Sequence, residues 1–236
     1  MGTKDRTPGI NRGIVDLNGL EGDLADYLGK MDVPNRAFLV DTSVLLEAAS
    51  PYARSRKPLA QRTLWLLSEA ITKGVDGFIT PTILEECFFK LIRWCYPDYA
   101  RRGSLVADSK RDRETKVDYM AFADEAARGV AWDKLYKHFP SVISERCCHK
   151  LTEFYDVVRQ EYGLFPLDPV LPLTEEESMT PITDRMNMFI CEYDLLPQDS
   201  LNLAIADAYD VRNIITFDSD LSRAANRFRI YIPNPH

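Results

Sequence analysis

Apolar residues along this chain fall into two patterns. Some runs are short and continuous and stop on a polar residue; others are longer and recur at helical spacing. Ala37–Val40 is wholly apolar, stops at Asp41, and passes through Thr42 and Ser43 into a second apolar run. A short continuous run suits a strand buried on both faces, as in a parallel sheet. The stretches "GFIT", residues 213–217 and "RIYIP" read as further strands. Residues 59–73 carry an apolar stripe at helical spacing, and Gly74 stops it. Thr80 and Pro81 open another helix, the first as cap and the second at the first helical position. That helix turns Leu84, Cys87, Phe88, Leu91 and Ile92 inward. Helices are also expected over residues 184–191 and from about 200 to 209.

The remaining stretches read differently. Before Pro34 the chain looks peripheral, with a short amphipathic helix carrying Leu20, Leu24, Tyr27 and Leu28 on one side. Residues 94–181 show no strand pattern. Two long helices are expected there, over 117–139 and 142–162, followed by a Pro-rich irregular connection. Strand and helix alternate at both ends of the chain, which implies a parallel α/β sheet interrupted by a helical insertion. The resulting division is an extension over 1–35, a first half-domain over 36–93, the insertion over 94–181 and a second half-domain over 182–236.

With 236 residues, 45% of them hydrophobic and 28% charged, the chain can bury a sizeable core. The N-terminal residues lack the apolar region of a signal peptide, and no stretch is long and apolar enough to span a bilayer. Five cysteines without a CxxC pair favour reduced thiols and a cytoplasmic location, with no membrane partner. A net charge of −7 argues against coating nucleic acid by charge alone. It leaves room for a local basic approach. Arg93, Arg101, Arg102, Arg111 and Arg113 lie around Tyr96 and Tyr99 in such a stretch, which reads equally well as a solvated surface.

An apolar strand that ends on a carboxylate invites two explanations. Asp41 is a good N-cap for the helix that follows. It also falls at the carboxyl end of a strand, where open α/β sheets hold ligands. This stretch alone does not decide. The same pattern returns in "NIITFDSD", where a strand runs into Asp218 and Asp220. Asp199 begins the helix of "QDSLNLAIADA", and Glu85 and Glu86 follow the strand "GFIT". Parallel strands deliver their terminal acids to one edge of the sheet. Carboxylates crowded there stay ionised only beside a cation. Oxygen ligands without His or Cys favour Mg²⁺ or Mn²⁺, one ion or two, and such ions activate water for phosphodiester hydrolysis.

The stretches "FLVDTSVLLEA", "ITPTILEECFF" and "QDSLNLAIADAYDVRNIITFDSDL" together resemble the PIN-domain ribonucleases, a family that includes toxins of toxin–antitoxin pairs. The resemblance covers residues 36–93 and about 187–232. It implies a three-layer α/β/α fold and a Mg/Mn-dependent endoribonuclease. Asp41, Asp199 and Asp218 match the family's catalytic and metal-binding acids, and Asp220 is the adjacent acid that supports Asp218. Ser43 and Thr216 match its supporting hydroxyls. Helical geometry does not choose between Glu85 and Glu86; the family's spacing from Thr80 falls on Glu86. An RNA substrate is implied, with Arg93, Arg101 and Arg102 as candidate substrate contacts. A homodimer or an antitoxin-like partner fits the family as well.

Small toxins of this family lack anything like residues 94–181. A non-catalytic PIN-fold scaffold, binding RNA or protein with structural acids, is the alternative. Phosphatases of the haloacid-dehalogenase type need a second Asp where this chain has Ser43. Receiver domains need paired acids ending the first strand and a late Lys, and neither is present. No Gly-rich phosphate loop occurs, which argues against nucleotide use.

Overall fold

The computed structural model describes residues 14–16, 36–52, 56–101, 124–125, 128–140, 142–167 and 181–233. Its centre is a six-stranded sheet, β1 (Ile14–Asp16), β2 (Ala37–Val40), β3 (Asp76–Ile79), β4 (Phe165–Pro166), β5 (Asn213–Ile215) and β6 (Arg229–Ile232). The strand order is β1-β6-β5-β2-β3-β4, and every pairing is parallel. Phe38, Leu39 and Val40 are consecutive and all buried, as are all three residues of β5. Successive strand side chains point to opposite faces, so both faces of the sheet are covered. The fold is three-layered, α/β/α.

Helices α1 (Thr42–Ala49) and α2 (Lys57–Thr72) connect β2 to β3. Helix α3 (Pro81–Arg101) leaves β3, and Thr80 caps it by accepting a bond from the Ile83 amide at 3.1 Å. Helix α4 (Trp132–His138) follows, then α5 (Cys148–Asp156), which is flanked by π-helical turns over Ile143–Cys147 and Val157–Glu161. Helices α6 (Ile182–Tyr193) and α7 (Pro197–Ala208) lead into β5, and a 3₁₀ turn over Ser219–Ala224 joins β5 to β6.

Several expectations change. The N-terminal extension is not merely peripheral: β1 adds an edge strand beside β6, with Ile14 opposite Ile230. The amphipathic helix expected between Leu20 and Leu28 lies outside the described residues. The insertion is not free of strands, because β4 pairs with β3 and the Leu167 amide donates to the Ile79 carbonyl at 2.7 Å. A two-residue strand containing Pro carries no alternating pattern, and an edge position tolerates the missing N–H. The helix expected over 117–139 does not run through its described part. Gly129 has φ +72° there, and α4 starts only at Trp132. The helix expected over 142–162 is helical over 142–161, carries the two π turns and ends at a bend at Tyr162. At the other boundary, α3 runs past residue 93 to Arg101, so the insertion grows out of a helix of the first half-domain.

A second small core of Cys95, Tyr96, Leu135, Phe139, Val142 and Cys147 fastens α4 and the first π turn to the far end of α3. Among the described residues no helix is long and apolar enough to cross a membrane.

Candidate metal centre at the carboxyl edge of the sheet

Chain direction fixes where the acids arrive. The strands β2 and β5 are neighbours, with Val40 opposite Ile215, and the chain leaves them toward opposite sides of the sheet: β2 continues to β3, and β5 to β6. Their carboxyl ends therefore flank the topological switch point, where doubly wound sheets hold ligands. Asp41 follows β2 directly, and its amide donates to the Ile215 carbonyl at 2.9 Å. Asp218 comes three residues after β5.

Two hydroxyls fasten the pair. Ser43 Oγ donates to Asp41 Oδ2 at 2.6 Å and Thr216 Oγ1 donates to the same oxygen at 2.9 Å. Ser43 Oγ in turn accepts from the Phe217 amide at 2.9 Å, and Thr216 Oγ1 accepts from the Asp218 amide at 2.8 Å. The cap reading of Asp41 is also realised, since the Ser43 amide donates to Oδ2 at 3.2 Å. All of these bonds fall on Oδ2. Oδ1 accepts none among the described residues and is not sealed from solvent. Asp218 likewise caps the 3₁₀ turn through the Asp220 amide at 2.8 Å.

Helices bring the other acids. Glu86, on the second turn of α3, accepts a bond from Thr42 Oγ1 at 2.7 Å and pairs with Lys90 one turn on. Glu85 is exposed. Between the two glutamates, then, it is Glu86 that faces the chain next to Asp41. Asp199 lies in the first turn of α7, which begins at Pro197 rather than at about 200, because Pro takes the first turn without losing a bond. A buried bond from Thr80 Oγ1 to Asn202 Oδ1, 2.5 Å long, ties the start of α3 to α7 and so fixes Glu86 relative to Asp199.

The electrostatics join these side chains. Burial and then the charges of Asp41, Asp218, Glu86 and Asp220 push the Asp199 carboxyl up to about 6. Burial raises Asp41 too, against the hydrogen bonds of Ser43 and Thr216, with Glu86 adding to the rise. The Cys87 thiol is pushed well up by burial and then by Asp41 and Glu86. Asp220 stands outermost: it is exposed and its Oδ1 pairs with Arg223 at 3.0 Å.

The donor set fits a hard divalent cation, since every group is a carboxylate and their mutual repulsion calls for positive charge. Its present spacing is wider than a finished site. Among the described residues no three acidic, His or Cys side chains stand close enough to hold one ion. Asp41 Oδ2 is occupied by two hydroxyls and Glu86 by Lys90, so closing around an ion requires side-chain rotation at Glu86.

Sequence reasoning passed over three neighbours of the acids. Lys90 neutralises Glu86, and its i,i+4 spacing was a readable signal. Thr42 holds Glu86. Arg56 lies with its guanidinium 5.3 Å from the Phe217 ring centroid, one residue from Asp218, and no local pattern announces that contact. Of the basic candidates, Arg93 is exposed on α3, about two turns beyond Glu86. Arg101 ends that helix, and its side chain, like Arg102, Arg111 and Arg113, lies outside the described residues. Comparison with protein-family models, curated proteins and solved structures finds no match to this chain.

Proposed function

We propose that this chain is a Mg/Mn-dependent endoribonuclease with a PIN-like site at Asp41, Glu86, Asp199 and Asp218. The observation that carries the reading is electrostatic. Burial, and then the charges of four other carboxylates, lift Asp199 to about 6, and those four come from the end of β2, from α3 and from the turn after β5. Helix caps have no reason to converge in this way. A divalent ion bound here supplies Lewis acidity toward a phosphodiester and a water of lowered pKa.

The chain's own residues do the rest. Ser43 and Thr216 hold Asp41 in one rotamer and leave Oδ1 to a ligand. Thr42 and the Thr80–Asn202 bond set the approach of Glu86. Asp218 is aimed by its amide's bond to Thr216. Arg56 lies on the rim over Phe217, where a guanidinium suits a phosphate.

Cleavage of a mixed RNA pool tests the proposal. Cutting should occur with Mg²⁺ or Mn²⁺ and stop with EDTA. Cutting that persists in EDTA, or none with either ion, contradicts it. A second reading, a non-catalytic scaffold of the same fold, draws on the wide spacing of the acids and on the completed caps of Asp41 and Asp218. It predicts RNA or protein binding without cleavage.

A further inference from the structure

Away from the acids, an aromatic and cationic cluster joins the sheet domain to the insertion. Helices α1 and α3 lie side by side. At one end Thr42 bonds Glu86; beyond the other, Tyr52, in the turn after α1, meets Trp94 edge-on, with ring centroids 6.1 Å apart and planes at 61°. Lys150, on α5, lies over Tyr52 with Nζ 4.8 Å from the ring centroid, and Nζ donates to the Tyr52 hydroxyl at 2.6 Å. Trp94 keeps 37% of its surface exposed. Lys57 adds charge near the turn that carries Tyr52: its Nζ reaches the Ser50 carbonyl at 3.4 Å, and Ser50 Oγ in turn accepts from the Tyr52 amide. Arg56, next in the chain, lies over the Phe217 ring.

We propose that Tyr52, Trp94 and Lys150 form a platform that holds a base and flanking phosphate of single-stranded RNA beyond the cleavage site. The inference rests on the ribonuclease reading for its substrate and goes beyond it in placing a second contact. Trp94 is eight residues past Glu86 on one helix, about 12 Å at 1.5 Å per residue. A few extended nucleotides span that distance. Sequence-tolerant single-strand sites combine exposed aromatic faces for stacking with cations for the backbone. Here Trp94 offers the exposed aromatic surface, braced by Tyr52, and Lys150 and Lys57 supply positive charge that complements a phosphate backbone in a chain whose net charge is −7. Lys150 comes from the insertion, which gives that segment a role in substrate choice.

The test measures binding of a short single-stranded RNA, and of the same sequence as a duplex, to the full chain in EDTA, where no ion supports cutting. Wild type should bind the single strand more tightly than the duplex. Trp94→Ala should weaken single-strand binding about five-fold or more, the loss expected for one stacked base. Lys150→Gln should lower the slope of log affinity against log salt by about one phosphate contact. Melting curves separate this from a strut that merely fastens the insertion. Variants with lowered melting temperature but wild-type affinity overturn the platform, as does a wild type that does not bind. Cleavage with Mn²⁺ keeps the two proposals apart. A chain that binds through Trp94 and never cuts retains the platform and loses the nuclease. One that cuts while both variants bind as wild type loses the platform alone.

Discussion

Thr216 Oγ1 donates to Asp41 Oδ2 at 2.9 Å and accepts from the Asp218 amide at 2.8 Å. One buried hydroxyl thus links the acids that close two neighbouring strands. Thr216→Val keeps the shape and removes both bonds. It leaves the part-buried Asp218 amide without its acceptor and Asp41 without one of its donors, which costs about 1–2 kcal/mol. Urea unfolding should show that loss, and Ser at the same position should recover most of it.

Asp199 gives the pH dependence. Its folded carboxyl titrates near 6 while an unfolded one titrates near 3.8. Between these values the folded chain holds a proton that the unfolded chain has released. Its contribution to stability is therefore present below the lower value and is lost as pH rises through about 6. Asp199→Asn should raise the metal-free melting temperature at about pH 8 and change it little at about pH 4. A variant that melts lower than wild type at the higher pH contradicts the repulsion.

Asp207, at the other end of α7, is a different kind of acid. Its side chain is fully buried and pairs with Arg185, Arg212 and Arg227, the last through two bonds of 2.8 and 2.9 Å. Burial alone would raise its carboxyl, but the bonds from Arg227 and Arg212 outweigh burial and hold it below the usual range. The stabilisation is present above the unfolded value and lost as pH falls through the folded one. Asp207→Ala should cost about 1.5–3 kcal/mol near neutral pH, because it removes the charge-assisted bonds to three partly exposed guanidinium groups. Acid unfolding should show that the difference from wild type narrows as pH drops.

Gly77, in β3, has no room for a side chain. A Cβ there would stand 2.7 Å from Ile71 Cδ1, 2.8 Å from Leu164 Cδ2 and 2.9 Å from Phe38 Cζ. These three belong to α2, the insertion and β2, so an added methyl must displace side-chain ends from three elements at once. Gly77→Ala should cost about 1–3 kcal/mol by overpacking, read as a lower urea midpoint at unchanged m.

What the sequence made legible was what local pattern encodes. The continuous runs before Asp41 and before Thr216 announced β2 and β5, and Thr80–Pro81 announced the start of α3. With strand direction, those runs also implied the shared edge of the acids. Long-range pairing stayed hidden. Nothing near Asp207 signals guanidinium groups 20 and 22 residues away in sequence. Phe165–Pro166 joins the sheet through backbone bonds that no side-chain periodicity marks, and Ile14–Asp16 is too short to show alternation. The Tyr52–Trp94 contact joins the turn after α1 to α3, and no motif spans the two.

The central claim is that Asp41 is a metal ligand as well as a helix cap, and Asp41→Asn separates the two roles. Asn caps a helix about as well as Asp, so the fold survives. A neutral amide is a poor ligand for Mg²⁺ or Mn²⁺, and losing a direct ligand should exceed the roughly 10–100-fold loss seen when only its supporting partners are removed. The decisive measurement is the rate of single-stranded RNA cleavage with Mn²⁺ for wild type and Asp41→Asn, both checked for equal metal-free melting. The account predicts cleavage by wild type and a loss of at least about a hundred-fold in the variant. A variant that melts like wild type and cuts at the wild-type rate would leave Asp41 as a helix cap and nothing more.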